Sequence, residues 1–84
     1  MTKEQLKQIL IESRNNKGLT HEQVAILASA KGKHITRQYY GMIENGDRTP
    51  SVDVAKAIAK VLGIKWTIFF DVNSNQTLQS EQVI

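Results

Sequence analysis

Glycines and hydroxyl-bearing residues divide this chain into segments with the periodicity of an α-helix. Apolar residues recur every three to four positions in each segment, and glycines at positions 18, 32, 46 and 63 lie between the segments. The residues that precede the segments and can cap a first helical turn are Thr2, Thr20, Thr36 and Ser51. Valine and isoleucine follow the helical spacing and not the alternation of a strand, so the pattern predicts an all-α fold.

The caps and the glycines also set the expected limits of the helices. Thr2 and Gln5 have the spacing of a capping box at the first helix. We predict helices over residues 3–16, 20–28, 37–45, 52–62 and 66–70. The expected apolar face of the second helix comprises Val24, Ala25, Leu27 and Ala28, and that of the fourth comprises Val52, Ala55, Ile58, Ala59 and Leu62.

The composition bounds the class of protein. Its 84 residues suffice for one small domain, expected over residues 1–71, with a polar tail at 72–84 that is mobile or ordered only on binding. The absence of cysteine fits a reducing, intracellular compartment. The N-terminus is polar and no apolar run approaches the roughly 18–20 residues of a membrane span, so we expect a cytoplasmic protein. A net charge of +3 is compatible with nucleic acid but does not require it.

The most informative motif lies between the third and fourth predicted helices. Residues 43–51 read Ile-Glu-Asn-Gly-Asp-Arg-Thr-Pro-Ser. Together with residues 18–25, 35–37 and 58–64, this string resembles the repressor and Cro type (XRE-like) of helix-turn-helix regulators, and the resemblance covers residues 3–70. It implies a compact five-helix repressor-like domain that binds double-stranded DNA as a sequence-specific transcriptional regulator, with its recognition helix at 37–45 in the major groove.

The outward residues of that helix are the candidates for contact with DNA bases. Arginine donates two hydrogen bonds to guanine, and glutamine pairs in a similar way with adenine. By the resemblance, Arg37, Gln38 and Met42 occupy base-reading positions, Gly41 lets the DNA approach closely, and Asn45 completes the face. The alternative for Arg37 and Gln38 is a solvated helix surface. For Met42 the choice lies between a thymine methyl contact and an exposed apolar residue.

A second group of residues is expected to contact the phosphate backbone, together with the amides of the loop at 46–49. Its members carry a cation, a hydroxyl or an imidazole near the recognition helix: His21, Lys31, Lys33, Thr36, Tyr39, Arg48 and Thr49. The alternative for each lysine is a solvated surface charge. Tyr39 is either a phosphate donor or a ring that braces the turn, and His21 is either a phosphate donor or an exposed residue near the helix cap.

The resemblance also implies a structural ion pair. In the family, the arginine before the Lys-Gly-Leu turn meets the glutamate at the end of the recognition helix. The matching residues are Arg14 and Glu44, which we expect to fasten the first helix to the third.

The junction between the second and third helices departs from the family pattern, which uses a short turn there. Residues 29–34 intervene in this chain. Either the second helix is longer by a turn or the loop bulges. A second departure is His21, which stands where the family commonly has glutamine.

Nothing in the sequence indicates an enzyme. Its two histidines lie 13 positions apart on different elements, and no acid–base or nucleophile arrangement is recognisable. We therefore expect no catalytic residue, no metal and no cofactor.

A protein-interaction module or antitoxin-like partner is the alternative function. The chain has more apolar residues near its C-terminus than so small a domain needs for its core: Val54, Val61, Trp66, Phe69 and Phe70. If the chain reads DNA, this surface is expected to form a homodimer that matches paired half-sites. If it does not, the same C-terminal region holds a different protein. Arg37, Gln38 and Arg48 favour DNA, because an adaptor has no need of them at these positions.

Overall fold

The computed structural model describes residues 1–72, and this part of the chain is entirely helical in its regular structure. The elements in chain order are α1 (Lys3–Asn16), α2 (His21–Ser29), α3 (Arg37–Asn45), α4 (Val52–Leu62) and a 3₁₀ helix (Trp66–Phe70). The predicted all-α fold is confirmed, with the fifth element formed as a single 3₁₀ segment. The predicted tail, apart from Val72, lies outside the described residues.

Side-chain caps fix where the helices begin. The Thr2 hydroxyl accepts from the Gln5 amide at 3.1 Å, and the Gln5 side chain accepts from the Thr2 amide at 2.7 Å. Thr20 and Gln23 form a second capping box with distances of 3.1 and 2.8 Å. Each box satisfies two backbone donors that a helix start leaves without a partner. These local bonds explain why the helix limits follow so closely from the sequence.

The core forms where α2, α3 and the 3₁₀ helix pack around α4 and α1. Its largest fully buried side chains are Tyr40, Leu10, Ile43, Ile58 and Val24. The buried residues of α4 extend over more than half of its circumference, because both α2 and the 3₁₀ helix pack against it. α3 contributes only one face to the core, so its opposite face remains at the surface.

Two residues predicted in apolar faces are exposed. Leu27 keeps 44% of its surface accessible, and Val52 is also exposed. With about 100° between successive helix residues, Leu27 lies at the edge of the stripe formed by Val24, Ala25 and Ala28. Val52 occupies the first position of α4, ahead of the part of the helix that α2 and the 3₁₀ helix cover.

Two residues predicted at a dimer surface are instead core residues. Val54 and Phe69 are 7% and 3% exposed and belong to the main hydrophobic cluster. No sequence pattern indicates that the 3₁₀ helix packs on α4 and covers these two residues. Val72, predicted as the first residue of the tail, packs against the same cluster and is half-buried.

The long junction between α2 and α3 is a bulging turn and not an extension of the helix. α2 ends at Ser29, and the amides of Lys31 and Gly32 donate to carbonyls three residues earlier, at 2.9 and 3.1 Å. Gly32 then takes a positive φ of +123°, which favours glycine. The Ser29 hydroxyl accepts from the Ile35 amide at 2.8 Å and donates to the Ile35 carbonyl at 3.2 Å. One side chain thus closes the base of the turn.

No helix within residues 1–72 has the length and apolar character needed to cross a membrane.

Replacing Ser29 with alanine should destabilise the protein by about 1–3 kcal/mol. The change leaves both peptide groups of the buried Ile35 without their partner. Urea unfolding followed by circular dichroism measures the effect, with Ser13→Ala, another half-buried serine, as the matched control. Equal midpoints for the two variants would contradict the role of Ser29 in closing the turn.

Candidate nucleic-acid interface

The outward face of α3 carries all five residues predicted to contact bases. Arg37, Gln38 and Asn45 are exposed, and Gly41 and Met42 are half-buried. The opposite face of the helix buries Tyr40, Ile43 and Glu44. The Asn45 side-chain amide donates to an Asp47 carboxylate oxygen at 3.0 Å, so this interaction orients Asn45 in the free protein.

The N-terminus of α3 offers a hydroxyl and a partly exposed ring. The Thr36 hydroxyl accepts from the Tyr39 amide at 3.0 Å, and a hydroxyl that accepts one hydrogen bond can still donate another. Tyr39 is half-buried and its ring packs against the core.

The loop after α3 uses its amides internally. Gly46 ends the helix in the left-handed conformation, and its amide donates to the Ile43 carbonyl at 3.2 Å. The amides of Asp47 and Arg48 donate to the Met42 carbonyl at 2.8 and 3.3 Å. These three amides are therefore engaged within the loop in the free protein. What this loop presents outward is the exposed side chains of Arg48 and Thr49.

Behind the outward face, a carboxylate joins three helices; we call Arg14, His21, Tyr40 and Glu44 the Glu44 cluster. Arg14 Nε lies 2.8 Å from Glu44 Oε1, and His21 Nε2 lies 2.8 Å from Oε2. The Tyr40 hydroxyl donates to Oε1 at 2.9 Å. The side chains of Glu44 and Arg14 are 7% and 16% exposed. α1, α2 and α3 each supply at least one member of this cluster.

Arg14 also anchors the turn that follows α1. Its Nη2 makes a longer bond of 3.4 Å to Glu44, while Nη1 donates to the Leu19 carbonyl at 3.0 Å. Its hydrogen bond to Glu44 raises the pKa of Arg14, outweighing the effect of burial. The guanidinium therefore holds both the carboxylate and the entry to α2.

The cluster fixes the charge states of Glu44 and Tyr40. Burial alone would raise the pKa of Glu44, but hydrogen bonds from Arg14, His21 and Tyr40 outweigh it and lower that pKa. Burial, followed by the nearby Glu44 charge, raises the pKa of Tyr40 far above its ordinary value, so the phenol stays neutral and acts as a donor. Glu44 is an ionised acceptor at neutral pH.

Two contacts of the cluster were missed in the sequence. Tyr40 and Glu44 are four residues apart on one helix, a spacing that places side chains side by side and that signalled their contact. The contact between His21 and Glu44 spans 23 positions and two helices, and no sequence pattern reveals it. His21 also meets the Tyr40 ring edge-on, with the ring centroids 5.6 Å apart.

Lys31 and Lys33 lie in a different cleft from the one beside the recognition helix. They line a space of about 410 Å³ between the bulging turn and α4, together with Lys56, Lys60 and Asp53. Lys56 Nζ lies 5.0 Å from the centroid of the Trp66 ring, a cation–π distance. Lys56 and Lys60 are not among the predicted contact residues, although their spacing of four residues on a helix places them on one face.

Of the five residues predicted to form a dimer surface, three have exposed area. Val61 and Trp66 are half-buried and Phe70 is exposed. The Trp66 and Phe70 rings meet edge-on with centroids 6.1 Å apart, which holds them at the same surface.

A helical core, an outward-facing third helix and a carboxylate cluster behind it define a helix-turn-helix domain. Residues 10–69 match a family model described as helix-turn-helix. The chain is 47% identical over 72 residues to an uncharacterized HTH-type transcriptional regulator, YqaF, of Bacillus subtilis (strain 168). That alignment covers 86% of this chain and 88% of the relative. No solved structure matches the chain significantly. The chain belongs to the helix-turn-helix family of the XRE type.

Replacing Glu44 with glutamine should cost about 3–5 kcal/mol at neutral pH, because Arg14 loses its charged partner. The pKa of Glu44 lies below its ordinary value of 4.5 when the protein is folded, so its contribution is complete above that pH and is lost as the pH falls further. Urea unfolding between pH 7 and pH 3 should show the gap between wild type and variant narrowing in acid. Glu12→Gln, an exposed residue of α1, is the control. A gap that stays constant down to pH 3 would contradict this account.

Proposed function

We propose that this protein is a sequence-specific DNA-binding transcriptional regulator that inserts α3 into the major groove. The observation that carries the proposal is the two-sided character of α3. One face offers Arg37 and Gln38 to solvent at the start of the helix, and the other is fixed to α1 and α2 through Glu44. A helix that reads bases needs exposed hydrogen-bond donors and must be held rigidly against the rest of the domain, because base recognition depends on fixed geometry. A regulator of this kind works in the cytoplasm, where bacterial DNA lies.

In this proposal the first turn of α3 reads base edges. Arg37 donates two hydrogen bonds to guanine, and Gln38 pairs with adenine through its amide. Gly41 permits close approach of the DNA, Met42 contacts a thymine methyl group, and Asn45 reaches an edge after exchanging its Asp47 partner.

Contacts to the phosphate backbone position the reading helix. Thr36 and Tyr39 lie at the start of α3, and Arg48 and Thr49 follow its end. His21 lies beside Gly41 in the middle of the helix. Lys31 and Lys33, in the cleft with Lys56 and Lys60, add positive charge beside the bulging turn. Such contacts supply affinity and salt dependence without sequence information.

We further propose that the protein acts as a homodimer through the surface formed by Val61, Trp66 and Phe70. Two copies related by a two-fold axis bind half-sites about 34–36 Å apart, one helical turn of DNA. Large aromatic side chains at a surface are typical anchors of such contacts.

Selection from random duplexes followed by sequencing, at two salt concentrations, tests the DNA proposal. The wild type should enrich a near-palindromic site with steeply salt-dependent affinity. The double variant Arg37→Ala, Gln38→Ala should lose the preference at the corresponding bases. The loss should be about 1–3 kcal/mol of discrimination for each bidentate contact between a side chain and a base.

The matched control is Lys65→Ala, Gln8→Ala, which removes one cation and one glutamine from exposed positions outside α3. It should retain the wild-type site. Equal losses in the two double variants would show a charge effect without base reading. No binding at low salt would contradict the DNA proposal altogether.

The dimer proposal predicts that Phe70→Glu yields a monomer. Association buries apolar area at this surface, and a glutamate at position 70 would place a charge in the interface, which is costly to remove from water. Sedimentation equilibrium should give twice the chain mass of 9.5 kDa for the wild type and a single chain mass for the variant. Leu27→Glu is the matched control, since Leu27 and Phe70 are 44% and 45% exposed. A wild type that is monomeric both free and on DNA would refute the proposal.

A further inference from the structure

His21 is the member of the Glu44 cluster that lies next to the outward face of α3. Its Nε2 is 2.8 Å from Glu44 Oε2, and its ring packs edge-on against Tyr40. Its other nitrogen, Nδ1, lies 3.9 Å from the point where a side chain of Gly41 would begin. The imidazole side chain is 42% exposed. One nitrogen is therefore committed to the interior, and the other lies beside a residue of the proposed DNA-contacting face.

An open cleft of about 450 Å³ lies beside His21 and Gly41. Gln38, Gly41 and Met42 of the outward face line it together with His21 and Glu44, and Lys7 of α1 contributes a cation. Because Gly41 has no side chain, nothing at that position of α3 separates the imidazole from the cleft. A backbone phosphate beside the recognition helix would meet His21 through Nδ1.

The protonation state of His21 decides whether it can bind a phosphate there. Glu44 is ionised and only accepts hydrogen bonds, so Nε2 must carry a hydrogen. A neutral imidazole carries only that one hydrogen, which leaves a lone pair and no hydrogen on Nδ1. A phosphate oxygen is also an acceptor, and two acceptors repel. Only the imidazolium donates to the carboxylate and to the phosphate together.

We propose that binding of DNA is coupled to the uptake of a proton by His21, whose imidazolium then bridges Glu44 and a backbone phosphate. This inference rests on the proposed function and adds its regulation by pH. A phosphate brought next to Nδ1 places a second negative charge beside the ring, in addition to that of Glu44, and this favours the imidazolium.

The other charged groups around His21 are consistent with this coupling. Arg14 already balances the Glu44 charge from the α1 side, and Tyr40 remains a neutral phenol. Lys7 of α1 and Asp47, after α3, line the same cleft with opposite charges. Ordinary lysine and carboxylate side chains do not titrate between pH 6 and pH 8, so the imidazole is the group of this set that takes up the proton.

The sign of the pH effect follows from the linkage. The bound state holds more protons than the free state, so affinity rises as the pH falls from 8 to 6 and weakens as the pH rises. A single linked proton changes affinity by at most about tenfold per pH unit. A regulator with this linkage releases its site under alkaline conditions.

Calorimetric titration of the full chain with its selected duplex tests the proposal. Binding enthalpies measured at pH 7.5 in phosphate and in Tris buffer, which differ in ionisation enthalpy, give the number of protons taken up. The variants are His21→Gln, which keeps a donor for Glu44 without a titrating proton, and His34→Gln, which removes the other, exposed histidine. Groups common to the three proteins cancel in the comparison.

We expect net proton uptake on binding by the wild type and by His34→Gln. In His21→Gln the proton taken up by His21 should be missing, and the affinity for the duplex should depend less on pH between pH 6 and pH 8. Uptake that persists in His21→Gln, or that disappears in His34→Gln, would overturn the proposal. A wild type that binds its duplex without proton uptake would overturn it while leaving the DNA-binding function intact. A wild type that binds no DNA would overturn both.

A second variant guards against a folding defect in His21→Gln. Gly41→Ala places a methyl group over Nδ1 in ordinary contact and favours the helix. It should fold at least as stably as the wild type and take up fewer protons for each duplex bound. Unchanged uptake in Gly41→Ala would contradict a phosphate site at Nδ1.

Discussion

A single buried carboxylate organises the interface of this protein. Glu44 is almost inaccessible to water and still ionised, which is tolerable only because Arg14, His21 and Tyr40 all donate to it. Those donors come from α1, α2 and α3, so the carboxylate sets the mutual orientation of the three helices. The apolar core would hold these helices together, but apolar contacts are not directional. The direction in which the outward face of α3 points therefore depends on Glu44.

The sequence predicted what depends on local chemistry. Helix limits followed from threonine and serine caps and from glycines such as Gly46 and Gly63, because these effects act within four or five residues. It predicted less well what depends on how elements meet. Val54 and Phe69 were assigned to a surface because nothing in their spacing shows that the 3₁₀ helix covers α4. For His21 the sequence predicts either a phosphate donor or an exposed residue near the helix cap, and it does not reveal the contact with Glu44, because that partner lies on another helix.

The sequence predicts which residues of α3 face outward, but not the contacts that the loop amides and His21 make beside them. The residues of α3 that point outward follow from helical periodicity once Tyr40 and Ile43 are assigned to the core. The engagement of the loop amides with the Met42 carbonyl does not follow, because it requires the conformation after Gly46. The proximity of His21 Nδ1 to Gly41 likewise needs the packing of α2 against α3. In our proposals, the base-reading face and the titrating imidazole therefore meet at Gly41.

The turn between α2 and α3 has a consequence for how this gene can change. Ser29 bonds both peptide groups of Ile35, so one side chain closes the base of the turn where the chain re-enters the core. We expect changes in the length of segment 30–34 that keep this closure to leave the start of α3 in place. The length of the turn and the identity of the outward residues of α3 can then vary separately among related sequences.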